Sequence, residues 1–68
     1  MMHEYDNDNG TLIRLGNETV AFWRKYARRN RLGVSKELLG TQIIRQDPEY
    51  WSQASMSRLW DEVNDRLR

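Results

Sequence analysis

Only one stretch of this chain has the composition of a β-strand, Thr11-Leu12-Ile13-Arg14-Leu15, and no second run of that kind follows to pair with it. Strict alternation puts Thr11, Ile13 and Leu15 on one face of such a strand and Leu12 and Arg14 on the other. A strand needs a neighbour to complete its hydrogen-bond ladder. This one must therefore pair with another protein, pair with a second copy of itself, or not be a strand. Self-pairing across a two-fold axis gives an antiparallel two-stranded ribbon.

Sixty-eight residues allow one domain with a modest core. Chains of this size usually need disulfides, a metal or oligomerisation as support. There is no Cys, and the single His, His3, sits near a terminus. Disulfides and thiolate metal sites are excluded, and neither a metal nor a cofactor is expected. Oligomerisation is the support that remains. No apolar run approaches the ~20 residues needed to span a bilayer. Glu4, Asp6 and Asp8 stand where an export signal would be basic, so the expected location is cytoplasmic, with the chain intact from Met1.

In chain order, residues 1–10 read as a flexible acidic arm. Its Asp6-Asn7-Asp8-Asn9-Gly10 run resembles a calcium loop in composition, but the required Gly and Glu fall out of frame. Gly16 is expected to break the strand and Asn17 to cap a helix reaching about Asn30. Val20, Trp23 and Ala27 share one face of that helix, with Phe22 and Tyr26 beside them. Arg24, Arg28 and Arg31 form a second stripe, flanked by Lys25 and Arg29. Gly33 suits the left-handed position after a helix C-terminus, and Ser35 suits the next N-cap. Leu38, Leu39, Ile43 and Ile44 give the second helix its apolar face. Gly40 inside it costs about 1 kcal/mol relative to Ala, tolerable where another helix crosses closely. Asp47-Pro48 ends that helix, and Met56, Leu59, Trp60, Val63 and Leu67 predict a third from about residue 54 to 67. The chain thus divides into an arm (1–10), a central unit (11–46) and a C-terminal helical extension (47–68).

The net charge of +1 conceals a segregation. Glu4, Asp6 and Asp8 give the arm −3. Arg14, Arg24, Lys25, Arg28, Arg29, Arg31, Lys36 and Arg45, against Glu18 and Glu37, give residues 11–46 a charge of +6. The remainder carries −2, from Arg58, Arg66 and Arg68 against Asp47, Glu49, Asp61, Glu62 and Asp65. A basic block coinciding with the folded unit points to a polyanionic partner.

The central stretch resembles the ribbon-helix-helix family of DNA-binding proteins. The resemblance rests on Ile13-Arg14-Leu15, Gly16-Asn17-Glu18, Phe22-Trp23, Tyr26-Ala27, Arg29-Asn30 and Gly33-Val34-Ser35-Lys36-Glu37-Leu38, and covers about half the chain. It implies a mainly α fold with one short N-terminal strand and two helices, as an intertwined homodimer, here with an extra C-terminal helix. The dimer core would comprise Ile13, Leu15, Val20, Phe22, Trp23, Tyr26, Ala27, Leu38, Leu39 and Ile43. The paired strands would enter the major groove, with Leu12 and Arg14 facing base edges. Arg31, Gly33, Val34, Ser35 and Lys36 would hold a phosphate at the second helix's N-terminus. Leu12 departs from the pattern, since that reading face is usually polar.

These residues lead to the expectation of a homodimeric, sequence-specific binder of double-stranded DNA that represses transcription, as an autoregulating antitoxin or a mobile-element regulator. In the antitoxin case the C-terminal stripe, Trp51, Met56, Leu59, Trp60 and Val63, would bind a protein partner. The competing expectation is a protein–protein or inhibitor module on the same dimeric scaffold without DNA. No nucleophile–base pair or glycine-rich phosphate loop is present, so an enzyme is not expected.

Overall fold

The computed structural model describes the backbone of residues 2–68 and the side chains of residues 12–68. Three helices run in order: α1 (Met2–Arg29), α2 (Val34–Gln46) and α3 (Met56–Arg66), with a short 3₁₀ turn, Gln53–Ser55, leading into α3.

Among the described residues there is no strand, so the ribbon-helix-helix architecture is overturned. The 11–15 run continues α1. A strand there could satisfy its backbone polar groups only through an outside partner, whereas a helix satisfies them within the segment. The tertiary pattern agrees: half-buried Leu12 extends the helical stripe formed by buried Gly16, Thr19, Val20, Trp23 and Ala27. Gly16, expected to break the chain, is a buried position within α1. A Cβ placed there would lie 3.3 Å from Cβ of Pro48, so the missing side chain lets the α2–α3 connection approach. Asn17, expected to cap a helix, is exposed inside one. The backbone of residues 2–10 belongs to α1, and the arm's side chains lie outside the described residues.

The first helix ends in a Schellman arrangement. Leu32 N–H donates to Ala27 O at 2.9 Å and Arg31 N–H to Arg28 O at 3.2 Å. The left-handed residue this requires is Arg31, at φ 55°. Gly33 then takes φ 86° as the N-cap of α2, and Glu37 N–H closes the first turn on Gly33 O at 3.1 Å. Ser35 therefore lies inside the first turn and is not the cap.

One core joins all three helices: Val20, Trp23 and Ala27 of α1, Ile43 and Ile44 of α2, then Trp51, Met56, Leu59 and Val63. Fully burying an aliphatic side chain stabilises a fold by about 1.5–3 kcal/mol, so the C-terminal residues contribute as the central ones do. Trp23 is the hub. It is wholly buried, its indole Nε1 donates to Glu37 O at 2.9 Å, and it stacks on Tyr26 at 6.0 Å. Tyr26 in turn meets Trp60 edge-on at 5.6 Å. The two buried hydroxyls are satisfied: Thr41 donates to Glu37 O at 2.9 Å, and Thr19 donates to Leu15 O at 2.8 Å beside Trp51 O at 3.4 Å.

Candidate nucleic-acid interface

The core occupies one face of α1, so the residues between its contacts are left outside. Arg24, Lys25, Arg28 and Arg29 are all exposed. Arg31 continues the stripe on the turn, and Lys36 stands half-buried in the first turn of α2. Residues 24–36 carry these six cations and no acid. The last turn of α1 tolerates this density because its unpaired carbonyls attract positive charge, and Arg28 and Arg29 sit there.

The nearest acid to approach the stripe is Glu37, whose Oε1 lies 3.7 Å from Nε of Arg28. Arg28 is 75% exposed in that pair, so the interaction is screened and worth little. Beside the stripe, the α2 N-terminus has Gly33, Val34 and Ser35 exposed and no side-chain cap on its amides. The positive end of α2 therefore adds to the arginine field.

The expected base-reading pair is placed differently. Leu12 is half-buried and Arg14 exposed on α1, with Arg14 Nε 3.8 Å from Glu18 Oε1. Reading by a β-ribbon is thereby removed. Of the residues assigned to a dimer core, Val20, Trp23, Ala27 and Ile43 are buried within a single chain, and Tyr26 and Leu39 pack partly against them. Ile13, Leu15, Phe22 and Leu38 are exposed. The stripe expected to meet a protein partner is turned inward: Trp51, Met56, Leu59 and Val63 are buried, and Trp60 is half-buried against Tyr26. The expected phosphate set, Arg31, Gly33, Val34, Ser35 and Lys36, does lie together, at the α1–α2 turn.

A second feature had no individual signal in the sequence. An open groove of about 550 Å³ runs between α1 and the start of α3. Phe22, Lys25, Tyr26 and Arg29 form one wall and Gln53, Ala54, Met56 and Ser57 the other. Its α1 residues recur at helical spacing, but the opposite wall comes from a segment more than twenty residues away in the chain. Elsewhere, Arg58 lies over the Tyr50 ring at 5.7 Å, which pins the α2–α3 connection against α3.

Among the described residues no helix is long and apolar enough to cross a membrane. No protein-family model, curated protein or solved structure matches this chain.

Proposed function

We propose that this chain is a small helical protein that binds double-stranded DNA through the arginine stripe of α1 and the adjoining N-terminus of α2. The observation that carries the reading is the run of six cations without an acid over residues 24–36, on a surface the core leaves open. Exposed guanidinium and ammonium groups clustered on one face can neutralise backbone phosphates, and the uncapped amide end of α2 is suited to hold one more. Phosphate contacts of this kind set position on the duplex. Occupying DNA next to a promoter would repress the gene, the simplest consequence of such binding.

Mobility shift of a duplex oligonucleotide, repeated between about 50 and 200 mM salt, tests this directly. If all six cations meet phosphates, log affinity falls with log salt at a slope of about −5. A folded sample that leaves duplex DNA unshifted at the lowest salt would refute the proposal. The exposed apolar residues Ile13, Leu15 and Leu38 favour the competing reading, a protein-interaction module, and that negative result would select it.

A further inference from the structure

The groove between α1 and the start of α3 adjoins the cationic stripe, yet most of its surface suits something other than phosphate. On its α1 wall Phe22 precedes Lys25 and Tyr26 by one helical turn, a rise of about 5.4 Å, and Arg29 by two. On the opposite wall Met56 is buried, while Gln53 and Ser57 are exposed. No carboxylate lines the groove. Its volume of about 550 Å³ falls in the roughly 300–1,000 Å³ range of sites that hold small organic groups.

The two aromatic residues of the groove differ in what holds them. Tyr26 stacks on Trp23 and meets Trp60 edge-on, so its ring belongs to the core. Phe22 takes part in neither contact and is 38% exposed. A paired duplex lying on the stripe offers Phe22 and Met56 nothing, because the faces of its bases are stacked on one another. An unpaired nucleotide offers a phosphate for the cations, a free π-face for the ring and a polar edge for the amide and hydroxyl.

We infer that the groove takes one unpaired nucleotide of a DNA strand, so that the protein favours a junction of double- and single-stranded DNA over blunt duplex, a preference that rests on the duplex binding proposed above. Lys25 and Arg29 keep their role as phosphate ligands, now at the step from paired to unpaired strand. The base packs on the Phe22 ring beside the Met56 thioether, and its edge meets Gln53 and Ser57. An amide and a hydroxyl can each donate and accept, so any base finds a partner there and little sequence preference is expected.

Fluorescence anisotropy on the full chain at about 50 mM salt compares three DNA probes. These are a blunt duplex, the same duplex with a single-stranded overhang of roughly four nucleotides at either end of one strand, and the same overhang built from abasic residues. The abasic overhang carries the added phosphates without bases. The natural overhang should bind at least about fivefold tighter than blunt duplex, the lower end of what stacking one base on an aromatic ring gives. The abasic overhang should stay within about twofold of blunt duplex. Phe22→Ala should remove the gain and leave blunt-duplex affinity unchanged. Ser57→Asp, which suits the first turn of α3, puts a carboxylate in the groove and should also remove the gain. Unchanged helical circular dichroism and cooperative unfolding establish that both variants fold. A natural overhang that adds nothing, an abasic overhang that adds as much, or a gain that survives both substitutions would each overturn the inference. Blunt duplex left unbound would instead refute the wider DNA proposal, so the two failures are read from different probes.

Discussion

The indole of Trp23 lies against the bare backbone of Gly40, where an added Cβ would overlap the ring. This packing fixes how closely α1 and α2 approach. It also sets up the hydrogen bond from Trp23 Nε1 to Glu37 O, one turn before Gly40 on α2.

Gly40→Ala separates two opposing effects. Helix propensity favours Ala by about 1 kcal/mol, while overpacking against a ring that cannot move aside costs about 1–3 kcal/mol or more. Overlap should win, giving a lower urea midpoint. Gly16→Ala is the contrasting case, because its Cβ would meet only Cβ of Pro48 at 3.3 Å. There the propensity gain and a small loop shift should leave stability within about 1 kcal/mol of wild type.

Trp23→Phe removes both ring volume and a donor. Glu37 O keeps its bond from Thr41 Oγ1, so no carbonyl is stranded. The expected loss is about 2–3 kcal/mol, from a partial cavity plus roughly 1 kcal/mol for the hydrogen bond. Equilibrium unfolding should show a reduced midpoint with an unchanged slope on denaturant.

Leu59→Ala tests whether the C-terminal segment belongs to the core. Leu59 is wholly buried among residues from all three helices. Truncation should cost about 2–5 kcal/mol, a large share of the 5–15 kcal/mol available to a small domain. Thermal melting is the readout, and a change below about 0.5 kcal/mol would mean that residues 47–68 do not help hold the fold.

Arg31→Gly should divide stability from binding. Arg31 holds the left-handed position that closes α1, which costs a residue with a side chain about 1–2 kcal/mol. Glycine relieves that strain but raises the entropy of the unfolded chain, so the net gain should be up to about 1 kcal/mol. The same change removes a cation from the proposed DNA face. A higher melting temperature should therefore accompany weaker binding to duplex DNA.

Arg24→Ala combined with Arg28→Ala should weaken DNA binding and flatten its salt dependence by about 0.9 in slope for each phosphate no longer neutralised. Both side chains are exposed, and Arg28 has only the screened interaction with Glu37, so unfolding should move by less than about 1 kcal/mol. An unchanged salt slope would remove these two arginines from the interface.

Local pattern was enough for much of this molecule. The apolar spacing of Val20, Trp23 and Ala27, the arginine stripe beside it and the run from Met56 to Val63 are helical repeats, and a repeat of 3.6 is legible without knowing what it packs against. The cationic cluster at the turn was legible for the same reason, since charge at helix ends is a local property.

The state of Thr11–Leu15 and the destination of the C-terminal stripe were decided by tertiary structure alone. A short run of apolar and β-branched residues around one Arg suits a strand or a helix equally, and the choice falls to whichever partner completes the backbone hydrogen bonds and buries Leu12 and Gly16. In this fold α1 completes the bonds within itself, and Pro48 closes over Gly16 from the connection that follows α2. The stripe of Met56, Leu59 and Val63 fits a foreign protein or the chain's own first two helices. Only the packing of Trp23, Ile44 and Leu59 together distinguishes the two, because an amphipathic helix encodes that it must be covered and not by what.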